Sequence, residues 1–212
     1  MSPRHTTEFG VHLHHIGPNG LARPSLLLDC FQDAASEQSA RLGFSIRELM
    51  ERGLTWVVSR YRVKICRYPC WQERIRVTTW RSTQQGHTAP REFAVVDADN
   101  RTIALARGIF ILLDRVTNRP VSPANHLPGY PVARETVFAD DFQVLPTVTS
   151  PDKSTRIHDR RDDIDLNRHV NNTATFPLPW KAFPNRSPAA TYLISSIYHF
   201  ASRRDMATPS SP

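Results

Sequence analysis

The sequence predicts an α+β domain in two layers, one long helix lying across an antiparallel sheet. Three observations predict it. Leu27, Phe31, Ala34 and Gln38 recur on one helical face between Ser25 and Gly43. From Trp56 onward the period drops to two and holds through successive short runs to Leu113. Only short, turn-rich spacers separate those runs, which favours antiparallel neighbours. A helix and a sheet that are each apolar on one side bury those sides against one another.

Thr7 to Ile16 is predicted as the first strand, and Gly17-Pro18-Asn19-Gly20 as a turn. Ser25 is a candidate cap for the helix. Asp29 and Asp33 fall in its early turns, the end that favours negative charge. Gly43 closes it, and Ser45 to Arg52 is a second, short helix. Along the next strand Val57, Tyr61, Val63 and Ile65 take one side, and Arg60, Arg62 and Lys64 the other. Glu73 to Trp80 repeats the pattern, with Ile75 and Val77 set against Arg74, Arg76 and Thr78. Arg91 to Val96 is a third strand, Asp97-Ala98-Asp99-Asn100 a turn, and Thr102 to Leu113 a fourth, longer strand. Residues 1–120 therefore form a first domain. Residues 121–150 carry Pro123, Pro128, Pro131 and Pro146 and are predicted as a linker crossing the surface. Residues 151–212 are predicted as a partial second domain, with Tyr192 to Phe200 its clearest strand.

The 212 residues suffice for one full domain or two small ones. Twenty-seven Lys and Arg against twenty Asp and Glu give a net charge of +7. That charge is spread along the chain, with no dense basic tract among aromatics, so no nucleic-acid partner is expected. No run of eighteen apolar residues occurs, so no membrane span is expected. The opening residues lack the apolar stretch of a signal peptide. Cys30, Cys66 and Cys70 cannot all pair within one chain, and Cys66 and Cys70 do not have CxxC spacing. A reducing, cytoplasmic setting is the expectation.

The densest polar cluster is Asp165, Asn167, His169, Asn171 and Asn172. Asp165 or Asn167 at a helix cap would leave His169 in the first turn, where free backbone N–H groups can hold a developing oxyanion. Asn167 can orient a carbonyl or a water, a neutral His169 can take a proton from that water, and Asp165 can fix its tautomer. This chemistry suits hydrolysis of an activated ester. Asx-capping of a loop by the same side chains is the structural alternative. One histidine without HExxH spacing is not a zinc motif, and neither metal nor cofactor is expected. His12, His14 and His15 are placed on the first strand, the first two on one face, as packing residues. The turn at Asp97 lacks the glycine and terminal glutamate of a calcium loop. Trp56, Trp71 and Trp80 are candidates for the core, and Arg60, Arg62 and Lys64 for a solvated face.

DIDLNRHVNN, Asp163 to Asn172, resembles the signature of the acyl-ACP thioesterases, a family of two hotdog domains in tandem. LTWVVSRYRVKICRYPCWQERIRVTTW, Leu54 to Trp80, is similar to the same family's first hotdog. So are Arg91 to Pro120 and the opening TEFGVHLHHIGPNG. The likeness covers roughly Thr6 to Asn172. It implies a hotdog fold, a long helix wrapped by an antiparallel sheet, with the first hotdog complete and the second partial. It implies hydrolysis of the thioester joining a fatty acyl chain to acyl carrier protein. Asp165, Asn167 and His169 match the family's residues that act on the carbonyl and the attacking water. Acyl carrier protein is the implied partner, with Arg60, Arg62 and Lys64 as a docking face and the tryptophans as candidate acyl-tunnel walls. A homodimer is an expected source of cover for an incomplete second sheet. The family's further acidic or cysteine residue downstream has no match. After Asn172 the pattern shifts, with Pro177 and Pro179 where a second helix is expected. A catalytically impaired acyl-chain or carrier-protein binding module is the alternative.

Overall fold

The computed structural model describes residues 2–83, 86–139, 142, 160–166, 170, 171 and 173, and the backbone of 192–195. Its elements are β1 (Arg4–Gly10), a 3₁₀ turn at Leu13–His15, α1 (Ser25–Arg41), α2 (Ile46–Glu51), β2 (Leu54–Ile65) and β3 (Arg74–Arg81). Then come β4 (Thr88–Val96), β5 (Thr102–Asp114), β6 (Pro120–Val121), α3 (Pro123–His126), a 3₁₀ turn at Arg161–Asp163 and β7 (Tyr192–Ser195). The strands form one antiparallel sheet in the order β1-β3-β4-β5-β2-β7, with β6 added on β5. This is the hotdog fold, with α1 wrapped by the sheet.

The helical period explains the packing of α1. Leu27, Phe31 and Ala34 bury against Ile75 and Val77 of β3, Phe93 and Val95 of β4, and Ile103 and Ala106 of β5. Phe31 stacks on Phe93 with centroids 4.6 Å apart. Each large apolar side chain so buried contributes roughly 1.5–3 kcal/mol. Gln38, on the same face, is buried and donates to the carbonyl of Pro3 at 2.8 Å. Gly43 takes φ +76° where the helix ends, and Ser45 with Glu48 forms a capping box at α2.

Four local expectations change. The first strand stops at Gly10 instead of Ile16, because Leu13–His15 turns, with the His15 and Ile16 N–H groups bonding back to His12 and Leu13. Pro24, and not Ser25, occupies the cap of α1, and Ser25 is its first helical residue. Asp29 and Asp33 lie beyond the first turn, and partial desolvation pushes both carboxyls up instead of the dipole favouring their charge. In β2 the register shifts between Val58 and Arg60, so Val58 joins Tyr61 and Val63 in the core in place of Val57.

Strand neighbours also differ from the order along the chain. β2 pairs with β5 and lies apart from β3. The connection crosses the sheet, held by Cys66 N–H to Ile103 O at 2.8 Å and by Arg67 bridging Glu73 and Asp97. After β5 the chain stays on the domain, with Leu127, Tyr130 and Ala133 buried. Arg62 lies over Phe138 and Arg60 over Phe142, at 4.3 and 4.9 Å from the ring centroids. That arginine face is therefore covered by aromatic rings instead of being fully solvated. β7 continues the same sheet along the edge of β2.

Candidate active site

A cavity of about 490 Å³ lies between α1 and the sheet, within the range of about 300–1,000 Å³ usual for small-molecule sites. Its walls are mainly apolar, with Leu28 and Ala35 from α1, Trp56, Val58 and Tyr61 from β2, and Phe110 from β5. Tyr61 lies across Gly108, its register partner on β5. A Cβ at Gly108 would sit 2.6 Å from the Tyr61 ring and 2.9 Å from Phe110. The missing side chain at Gly108 thus makes room for two rings of the cavity wall.

Asp165 lines this cavity together with Ile164, Leu166, Asn171 and Thr173. Its loop is closed by an antiparallel bridge between Ile164 and Val170 and by Asn171 N–H to Asp163 O at 2.7 Å. The expected helix cap at Asp165 or Asn167 depends on residues 167–169, which are not among those described. Asn167, His169 and Asn172 lie outside the described residues. Thr173 hydrogen-bonds Asp29 of α1, which joins this loop to the helix. Partial burial raises the Asp29 carboxyl above its ordinary value, and the Thr173 bond opposes that rise.

Further inside, Arg81 of β3 and Arg91 of β4 are register partners on the cavity wall. Arg91 donates to Gln38 Oε1 at 2.6 Å, to Thr79 Oγ1 at 3.4 Å and to the Tyr130 hydroxyl. Burial pushes the Arg81 guanidinium down to about 10, which leaves it charged at neutral pH. Neither arginine belongs to a motif or to the polar cluster around Asp165. The alternation Ile75, Val77, Thr79, Arg81 places Arg81 on the core side and could have found it.

The other candidates separate from this site. His12, His14 and His15 sit in the turn after β1, with the rings of His14 and His15 4.0 Å apart. Burial and the neighbouring positive groups His14, His12 and Arg23 lower the pKa of His15. Among the described residues no group of three His, Cys, Asp or Glu is arranged for a metal ion. Asp97 closes its hairpin by accepting from the N–H groups of Asp99 and Arg101. Trp56 lines the cavity, Trp80 is buried, and Trp71 is exposed. Cys30 is buried, which pushes its thiol up to about 12, and Cys66 and Cys70 are exposed and free. Among the described residues no helix is long and apolar enough to cross a membrane.

Comparison with known proteins adds three results. Residues 3–127 match the family model of the acyl-ACP thioesterase N-terminal domain. The chain is 26% identical over 190 residues to the chloroplastic acyl-[acyl-carrier-protein] hydrolase FATB3 of Cuphea viscosissima, covering 84% of this chain and 46% of the relative. It is 25% identical over 179 residues to the chloroplastic palmitoyl-acyl carrier protein thioesterase of Arabidopsis thaliana, covering 78% and 43%. The chain thus spans less than half the length of these two curated relatives. An acyl-ACP thioesterase structure from Bacteroides thetaiotaomicron superposes with a TM-score of 0.75 at 25% identity, covering 87% of this chain and 76% of that one.

Proposed function

Because the chain belongs to the acyl-ACP thioesterase family, we propose that it hydrolyses the thioester linking a fatty acyl chain to acyl carrier protein. The observation that carries this reading is Asp165 on the wall of an apolar cavity of about 490 Å³ beside α1. The acyl chain occupies the cavity and its thioester carbonyl lies at the loop of Asp165. Asn167 orients the carbonyl or the water, and His169 takes a proton from the water as it attacks. The new bond joins the water oxygen to the carbonyl carbon. The carbon–sulfur bond then breaks, and the carrier leaves as a thiol carrying the proton held by His169. Asp165 keeps the imidazole oriented and stabilises its charged form. Acyl carrier protein is the partner, and a second copy of the chain is a further candidate partner.

Release of free thiol from acyl-ACP and acyl-CoA of several chain lengths tests this reading. Turnover that His169→Ala lowers by about 10²–10⁴-fold, the usual contribution of a general base, supports it. Acyl binding without thiol release above the His169→Ala level would instead identify a binding module.

A further inference from the structure

The sheet carries a second cavity, of about 370 Å³, on the face away from α1. Side chains alternate across a strand, and the neighbours of first-cavity residues line this one. Arg60 follows this rule beside Tyr61 on β2, Thr88 and Pro90 on either side of Ala89 on β4, and Ile109 beside Phe110 on β5. The two cavities therefore lie back to back across the sheet. The volume is within the range of about 300–1,000 Å³ usual for small-molecule sites.

The outer wall of this cavity is the segment that follows α3, and hydrogen bonds pin that segment to the sheet. Trp80 Nε1 donates to Glu135 O at 2.7 Å, the Val137 N–H to Glu92 Oε2 at 3.2 Å, and Arg107 to Phe138 O at 2.8 Å. Phe138, Ala139 and Phe142 supply its apolar part. The space is thus held open by fixed walls on both sides.

Charge on this face is unevenly matched. Among the described lining residues both ionisable groups are arginines, Arg60 and Arg107. Arg107 is only 6% exposed and donates through Nε to the buried Glu92 at 2.8 Å. Arg60 differs. Its Nε is buried and has no hydrogen-bond partner, and its guanidinium lies 4.9 Å from the centroid of the Phe142 ring. Buried donors are nearly always hydrogen-bonded, and one left without an acceptor costs stability. A ring face attracts the positive charge but supplies no oxygen to the Nε–H.

We propose that this second cavity binds a small organic oxyanion, a phosphate monoester or a carboxylate on a compact apolar body, with Arg60 as its anchoring cation. The planar fork of Nε and a terminal nitrogen matches two oxygens of either group. Pro90, Ile109 and Phe138 line the space that receives the body. The site lies across the sheet from the cavity that Asp165 lines, so it does not rest on the hydrolysis reading.

Calorimetric titration of the whole chain tests this with phenyl phosphate, benzoate and the neutral benzyl alcohol. The two anions should bind at about tenfold lower concentration than the alcohol, the step that one charge-assisted hydrogen bond provides. Tighter binding of phenyl phosphate than of benzoate assigns the ligand as a phosphate monoester, and the reverse or equal order as a carboxylate. Arg60→Met should erase the preference for anions, and Arg60→Lys should keep part of it. Should Arg60→Met fail to fold, Arg60→Lys and the wild-type ranking decide. A fluorescent acyl probe seated in the first cavity should stay bound in saturating phenyl phosphate. Its displacement would put the anion in the first cavity and overturn the proposal. Benzyl alcohol binding as well as the anions overturns it too, as does a preference that survives in Arg60→Met. Inorganic phosphate binding as tightly as phenyl phosphate would show that the cavity takes no organic body, and would also overturn it.

Discussion

Ser39 of α1 and Tyr130, beyond α3, share a buried hydrogen bond of 3.1 Å. The same hydroxyl accepts from Arg91 of β4, so a single phenol joins the helix, the sheet and the segment that follows it. Tyr130→Phe keeps the ring and removes the shared oxygen. It leaves a buried hydroxyl and a buried guanidinium each short of a partner, a loss of about 1–3 kcal/mol. Urea unfolding should show a lower midpoint with an unchanged slope.

Glu92 provides a second test. It is fully buried and accepts from Arg107 Nε and Ser82 Oγ, both at 2.8 Å, and from Val137 N–H at 3.2 Å. Glu92→Gln leaves the Arg107 charge buried without its carboxylate and should cost about 3–5 kcal/mol. Glu8 pairs with Arg74 in solvent, at 49% and 75% side-chain exposure. Glu8→Gln should change stability by less than about 1 kcal/mol. Equal losses in the two variants would show that burial does not set the strength of these pairs.

Gly108→Ala places a methyl group 2.6 Å from the Tyr61 ring and 2.9 Å from Phe110. The rings must move into the cavity or the strands must part. Overpacking of this kind costs about 1–3 kcal/mol. Calorimetry should show a lower melting temperature, and probe binding should weaken because both rings line the cavity.

Asp29 gives a pH signature. Its carboxyl is raised by partial burial, so between the ordinary and the raised value the folded state holds more protons than the unfolded state. Stability therefore falls as pH rises through that window, and the penalty stays constant above it. Asp29→Asn removes the penalty and keeps an oxygen that accepts from Thr173. The variant should be more stable than the parent at pH 7, and the difference should vanish below the ordinary aspartate range. Glu73 has the opposite sign, since its hydrogen bonds from Arg67 hold it low. Its contribution is present above the ordinary glutamate value and is lost as pH falls through the folded one.

Asp165→Asn separates chemistry from structure. Asparagine keeps the shape of the side chain and caps a helix or loop about as well as aspartate does, so little structural energy is at stake in the loop that the Ile164–Val170 bridge closes. Stability in urea should stay within about 0.5 kcal/mol of the parent, because the two side chains are nearly equal as caps. If Asp165 orients His169, kcat should fall while KM holds. Equal kcat in the two proteins would remove Asp165 from the mechanism.

The helical face of α1 was legible in advance. Leu27, Phe31, Ala34 and Gln38 are all buried as their spacing required, because helical period is a local property of the chain. The β-period, the turn at Asp97 and the short helix after Ser45 were legible for the same reason, and the motif around Asp165 was legible through its resemblance to a family. Partner choice was not. β2 lies beside β5, and the shift after Val58 exchanges Val57 for Val58 in the core, because both depend on hydrogen bonds between residues some fifty positions apart. The arginine pair marks the same division. Alternation alone puts Arg81 on the core side of its strand, but only tertiary packing sets it opposite Arg91, lays the Tyr130 ring against both and leaves a cavity in front of them. Periodicity is encoded residue by residue, whereas a cavity exists only where surfaces from distant parts of the chain meet without filling the space between them.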